Sequence, residues 1–304
     1  NEMTILLKLL NTAAGLAFAP LLIGVINRTK AWCAGRTGPP LLQPYHDLRK
    51  LFRKGVVYSE SSSWILRAGP VVGLSAVVTA ATIIPFGGLP VLLSFNGDLI
   101  LFAYLFGLAR FFTILMALDS GSSFEGMGAS REAAFSALAE PVLLLTLAVI
   151  AKYTGQISFS KIFPAIDFGY WPKAGPAFVL IGLALLIVFL AENARIPVDD
   201  PNTHLELTMI HEAMVLDHSG PDLGMIHYAA AVKMWLLGAL LTQIIVPVRG
   251  GGRLADVAAA LLAMMLLAAV VGLIESSMAR LRLQRVPQLL VGAAALSILA
   301  AILV

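Results

Sequence analysis

Residues 132–153 read EAAFSALAEPVLLLTLAVIAKY, and the reading of this run decides the fold. At 1.5 Å per residue such a run makes a helix of about 33 Å, enough to cross the hydrocarbon core of a bilayer. Yet Glu140 sits in the middle of it, followed at once by Pro141. A charge in lipid costs several kcal/mol, so such a residue faces a partner or a wet cavity. The proline removes one helix hydrogen bond and crowds the carbonyl of Ala137, and a carboxyl beside a loosened turn can share water with the freed group.

Working outward, seven more apolar runs follow the same pattern. They lie near Met3–Asn27, Trp64–Phe86, Asp98–Leu118, Gly175–Asn193, Ile226–Pro247, Ala255–Ser277 and Val286–Val304. Four of them carry a charge in or beside the apolar stretch: Arg110, Glu192, Lys233 and Glu275. The composition agrees, with 59% hydrophobic and 13% charged residues, where a soluble domain carries about a quarter charged. The expected fold is all-α, a polytopic membrane protein with about eight transmembrane helices. Residues 1–304 are expected to form a single transmembrane helical domain, and the first run reads as a retained helix because no small-residue cleavage site follows it.

Lysine and arginine set the orientation. Arg28, Lys30, Arg36, Arg49, Lys50, Arg53 and Lys54 occupy the first loop, Arg131 the third, Arg195 the fifth, and Arg280, Arg282 and Arg285 the seventh. The even loops offer Lys161, Lys173, Arg249 and Arg253. Under the positive-inside rule the odd loops are cytoplasmic and both termini lie on the outer side. The net charge of +3 is thus a topology signal, and nucleic acid is excluded as a partner. With that topology all five intramembrane charges fall in the inner half of the membrane. The pattern suits a path hydrated from one face and closed at the other; the plainer alternative is that the charges pair and glue helices together. Lys8 is the exception in the outer half.

The loops add less. In the first loop (28–63), GRTGPPLLQPYHDLRKLFRKG turns at its prolines; then Leu48, Leu51 and Phe52 alternate with basic residues as a short amphipathic interfacial helix, suited to anionic lipid or a docking partner. The acidic loop after the fifth span (195–225) holds DDPNTHLELTMIHEAMVLDHSG, with Asp200-Pro201 as a helix start and Gly220-Pro221 as a stop. His204, His211 and His218 recur every seven residues, about 10 Å apart, too far for two to share one metal ion. His211-Glu212 lacks the second histidine of a zinc-protease motif, since position 215 is Val215. Glu206 is expected half buried on one helix face with Ala213 and Asp217, extending an acidic route upward. The glycines of GSSFEGMGASRE suit tight turns before Arg131 and Glu132 open the fourth span, and the stretch lacks the ending of a phosphate loop. One cysteine, Cys33, leaves no cluster for zinc or iron–sulfur. No metal site is expected in this chain.

Several stretches together resemble one family: RTGPPLLQPYHDLRKL, GASREAAFSALAEP, FLAENARIPVDDP and ESSMARLRL. They are similar to the membrane subunit shared by respiratory complex I (its subunit 1) and the group 4 membrane-bound [NiFe] hydrogenases. The resemblance runs through nearly the whole chain. It implies a membrane-anchor and proton-path subunit of an energy-converting redox complex in the prokaryotic inner membrane. A peripheral arm with hydrogenase large and small subunits and an iron–sulfur subunit would sit on one side, and antiporter-like membrane subunits beside it. It places the [NiFe] centre and iron–sulfur clusters on those partners. Carried over residue by residue, it implies a carboxylate funnel of Glu132, Glu140, Glu192, Glu206, Glu212 and Glu275, tuned by Arg110 and Lys233. It also implies a redox-arm interface of Arg36, Gln43, Asp47, Arg131, Arg195 and Asp199. Quinone-reducing members carry a more acidic stretch after the Arg-x-Pro turn than DDPNTHLE does, and GASRE and ESSMARLRL look more like the formate hydrogenlyase and hydrogenase-4 branch. The alternatives are a quinone-tunnel subunit of complex I type, a stand-alone secondary transporter and a purely structural anchor.

Overall fold

The structure, a computed structural model, describes residues 2–60, 62–167, 169, 171–199, 209–247 and 250–304. Its helices are α1 (Glu2–Cys33), α2 (Gln43–Leu51), α3 (Trp64–Ala81), α4 (Asp98–Asp119), α5 (Ser123–Thr154), α6 (Phe159–Ala165), α7 (Trp171–Glu192), α8 (Gly220–Ile245), α9 (Arg253–Ser277) and α10 (Val286–Leu303). Eight of these are long and apolar enough to cross a membrane: all but α2 and α6. No strand occurs among the described residues. Both termini lie at the end away from the basic loops, as an even number of spans requires.

Three boundaries differ from the sequence reading. The fourth span begins at Ser123, not Glu132, so the glycine-rich stretch is helix rather than turns. Gly126 and Gly128 are tolerated there because a neighbour comes close: a Cβ on Gly128 would sit 2.8 Å from the Ile210 carbonyl. The second difference is at Gly220-Pro221, which opens α8 instead of ending a helix. Pro221 occupies the first turn, where its missing N–H costs nothing. Gly220 has φ +54, and a Cβ there would lie 2.4 Å from the Gly55 carbonyl. Third, the described part of the acidic loop forms one short 3₁₀ turn, Glu212–Val215, in place of a longer helix. His204 and Glu206 lie outside the described residues.

α8 is the axis of the bundle. It packs against α1, α2, α3, α7 and α9, and Trp235 at its centre is 1% exposed. That indole lies 4.9 Å from the Phe86 ring and 6.3 Å from Phe18 between centroids. Gly15 on α1 leaves the space: a Cβ there would stand 3.1 Å from the indole nitrogen. α9 and α10 are peripheral, presenting Leu262, Leu266, Val291, Ile298 and Ile302 outward, as helices that meet acyl chains do. The amphipathic α2 crosses between α1 and α8 rather than lying apart, with Leu51 and Phe52 against Gly224.

The end opposite the basic loops is closed by a buried irregular segment after α3, in which Ile83, Ile84, Phe86, Leu89 and Val91 are all buried. Irregular backbone at such depth survives only if its polar groups find partners. Asn11 of α1 supplies two, donating to Ile84 O at 2.9 Å and accepting from Phe86 N at 3.0 Å. Gln243 of α8 donates to Pro85 O at 2.6 Å. Asp98 caps the neighbouring α6, accepting from Ser158 Oγ at 2.6 Å and Phe159 N at 2.9 Å.

Replacing Asn11 by Leu strands one donor and one acceptor in this plug. At about 1–3 kcal/mol for each buried unpaired group, N11L should lose roughly 2–4 kcal/mol of unfolding free energy in detergent micelles. An unchanged denaturation midpoint would show that the plug does not depend on this side chain.

Candidate functional site

Four spans meet around one guanidinium. Arg110, two turns from the end of α4, is buried, and its Nε lies 3.1 Å from Glu132 Oε1 of α5. Its Nη1 pairs with Glu140 of the same helix α5 and its Nη2 with Glu192 at the end of α7. Lys233 of α8 closes the group, its Nζ 2.8 Å from Glu192. Gly107, one turn before Arg110, keeps α4 slim where Glu140 arrives: a Cβ there would be 3.5 Å from its Oε1. Glu132 and Glu192 are 9% and 3% exposed at the side chain, whereas Glu140 is 45% exposed. The carboxylate of the deciding segment therefore has one flank on Arg110 and one flank bare, beside the exposed Ala137 and Pro141.

From Glu132 the polar contacts continue toward the basic end. His211 Nε2 lies 3.3 Å from Glu132 Oε2, and its Nδ1 3.4 Å from Asp199 Oδ2. The backbone N–H of His211 donates to the same Asp199 oxygen at 3.2 Å, and Arg280 holds the other at 2.7 Å. Three cations (Arg110, Lys233, Arg280) face four carboxylates (Glu132, Glu140, Glu192, Asp199), a balance of 3 − 4 = −1. A proton on His211 brings the group to neutrality. Burial pushes the imidazole pKa down, but Glu132 and Asp199 together outweigh it and hold it above the ordinary histidine value. Breaking any fully buried pair here would leave an uncompensated charge, at about 3–5 kcal/mol.

Local sequence places these groups. α7 stops at Glu192, and the chain turns back through Ala194, whose φ of +50 is the left-handed conformation that side chains seldom adopt. The connection carrying His211 is pinned from three sides. Glu125 of α5 accepts from Asp217 N at 2.8 Å, Arg131 donates to Met209 O at 2.9 Å, and Gly128 admits the Ile210 carbonyl.

Not every expected residue joins this cluster. Glu275 lies in a second one, 2.7 Å from Lys30 and 3.4 Å from Arg195, with its side chain fully buried. Arg195 and Asp199 are buried and ion-paired. Arg36 and Asp47 are exposed, Gln43 and Arg131 half-buried, and Gln43 donates to Asp47 at 2.9 Å. A cavity of about 660 Å³ runs from α2 down to the cluster; Asp47, Glu212 and His227 line its outer part, and Arg110, Glu192 and Lys233 its depth. His227 carried no expectation from sequence, being one histidine in an apolar helix, and His211 stood out only as part of a seven-residue spacing. Among the described residues no three His, Cys, Asp or Glu side chains converge as a metal-binding set.

Comparisons with known proteins fit this geometry. A family model described as NADH dehydrogenase matches residues 5–304. Formate hydrogenlyase subunit 4 of Escherichia coli is 32% identical over 294 residues, covering 94% of each chain. Hydrogenase-4 component C of the same organism is 32% identical over 239 residues, 76% of this chain and 72% of that one. A membrane subunit of the NADH-quinone oxidoreductase of Rubrobacter xylanophilus is 26% identical over 246 residues, 80% and 73%. The fold matches a chain in the structure of the membrane-bound sulfane sulfur reductase, an archaeal respiratory membrane complex, with a TM-score of 0.84, 22% identity and 98% of both chains covered.

The raised imidazole pKa gives a sign to the pH dependence. A group that holds its proton more tightly when folded contributes its full stabilisation below the unfolded pKa of about 6.5. That contribution fades as pH rises through the higher folded value. Thermal unfolding in detergent should therefore show a midpoint that declines upward from near neutrality in the wild type, with a flatter profile in His211→Gln. Parallel profiles would place the titrating group elsewhere.

Proposed function

The chain belongs to the NADH dehydrogenase family, and from that premise we propose that it is the membrane-anchor and proton-path subunit of an energy-converting hydrogenase complex. A peripheral [NiFe] arm would dock on the basic end and antiporter-like membrane subunits beside α5. The observation that carries this reading is the half-bare flank of Glu140 at the end of a string of charged contacts. Asp199, His211, Glu132, Arg110 and Glu140 follow one another from the basic end into the bilayer. A carboxylate left partly open at membrane depth needs a neighbour to cover it, and an ion-moving subunit would both cover it and receive its proton.

In this reading the basic end faces the cytoplasm of a prokaryotic cell, and both termini face outward. Arg36, Gln43, Asp47 and Arg131 meet the redox arm. Arg195 and Asp199 act from within, holding the connection that the arm touches. Glu132, Glu140, Glu192 and Glu212 take part in proton movement, Glu206 extends the acid series toward the arm, and Glu275 steadies α9 against α1. Arg110 and Lys233 set proton affinity: an adjacent cation lowers a carboxyl's hold on its proton, and burial raises it. The [NiFe] and iron–sulfur centres sit on the partners, and electron transfer there is felt as a change of charge near Asp199 and His211.

The 660 Å³ cavity favours a second reading, in which its apolar walls take a quinone and the protein serves a complex I-type enzyme. Copurification separates the two. A partner with two Cys-x-x-Cys pairs able to hold nickel supports the hydrogenase, and reduction of added quinone by the isolated complex supports the other.

Glu140→Gln in the assembled complex removes the proton-carrying group with little change of shape. Proton translocation into inverted vesicles should fall at least tenfold, while hydrogen oxidation with an artificial dye stays near the wild-type rate. Undiminished translocation would remove Glu140 from the path. Translocation by the purified chain alone would indicate a self-sufficient transporter.

A further inference from the structure

The cavity reaches the Arg110 cluster by a route that bypasses His211. Its outer wall carries acids from two elements, Asp47 on α2 and Glu212 on the 3₁₀ turn, and its depth holds Lys233 paired to Glu192. His227 lies on α8 between them, exposed to the cavity space. It is six residues, or about 9 Å of helix rise, from Lys233. The charges of Glu212 and Asp47 both act on its ring. α2 also brings Lys50 and Lys54 to this wall, and α1 brings Pro20, Ile23 and Asn27, none of which titrates near neutrality. A space of this size has room for on the order of tens of water molecules. Its polar lining gives them partners.

We infer that His227 is a proton-accepting group of a second, water-filled inlet, passing protons from Glu212 and Asp47 at the mouth of the cavity to Glu192 beside Lys233. The inference rests on the proton-path reading and adds to it a residue and a route. The argument is chemical. A carboxylate pair at the mouth and an ion pair about 9 Å deeper are too far apart for direct transfer, and imidazole is the side chain able to accept at one nitrogen and release at the other near neutral pH. In the step, protonated Glu212 gives its proton to one ring nitrogen of neutral His227, leaving carboxylate and imidazolium. The imidazolium then releases the proton on its other nitrogen to cavity water, which delivers it to the Glu192 carboxylate. A ring flip restores the starting tautomer, and no electron changes place. His211, by contrast, is lodged between Glu132 and Asp199 and serves the drier route.

The test uses the whole complex in inverted vesicles. His227→Gln and His227→Ala should each lower coupled proton translocation by about tenfold or more, with dye-linked hydrogen oxidation and assembly on native gels unchanged. Added imidazole should restore translocation in His227→Ala, whose vacated space admits it, and should leave His227→Gln unimproved. Wild-type rates in both variants overturn the inference, and so does a defect in His227→Ala that imidazole leaves untouched. Should one variant fail to assemble, the other decides. Glu140→Gln in parallel keeps the two claims apart. If it abolishes coupling while the His227 variants retain it, the second inlet fails and the proton-path reading stands. If it has no effect, that reading fails first.

Discussion

The three-way hold of Arg110 on Glu132, Glu140 and Glu192 is the constraint on which the rest of the structure depends. One guanidinium fixes the relative height of α4, α5 and α7, and Lys233 brings α8 into the same register through Glu192. Arginine suits this place because its planar fork presents five donors in fixed directions and never loses its charge. A lysine would satisfy one carboxylate well and leave two poorly solvated. The arrangement is costly to desolvate, so its persistence in a bundle otherwise built from leucine and alanine points to use rather than to adhesion alone. The excess of acid over base gives the cluster a charge that neighbouring groups can adjust.

The two ends of the bundle treat polarity in opposite ways. Toward the basic end, acids, bases and two histidines line a roomy space and a string of contacts. Toward the other end, Asn11 and Gln243 are spent on the backbone of Ile84, Pro85 and Phe86, so that no titratable group takes part in that closure. Amide side chains pair with backbone and carry no proton at physiological pH. A charge brought in from one face therefore meets a floor that holds hydrogen bonds and offers no onward acceptor. Its way out is sideways, past Glu140.

Much of this was legible in the sequence. Eight apolar runs and five charges within them follow from composition and length alone, because the bilayer demands about 20 apolar residues and penalises each exception. The same sequence did not disclose which charge meets which, since Arg110 finds its partners from three other stretches. The glycines before Arg131 read as turns by local preference, yet they are helical, and Gly128 answers to Ile210, a contact set by packing of distant segments. The connection after α7 is held by Glu125, Arg131 and Arg280, and none of those ties leaves a local signal. Gly220-Pro221 was ambiguous on its own terms, because glycine ends helices and proline begins them. His227 was hidden for a simpler reason: a lone histidine on an apolar face takes its meaning from what lies across the cavity.

The uncovered flank of Glu140 also bears on how long a newly made copy survives. A chain released into the bilayer without companions carries a carboxylate against acyl tails, and it must draw in water, thin the membrane locally or take up a proton to stay there. Each of those loosens α5 around Pro141, where the helix is already one hydrogen bond short. An orphan copy is thus marked for membrane proteases by the same group that serves it once assembled, which couples the abundance of this protein to that of its neighbours without any dedicated regulator.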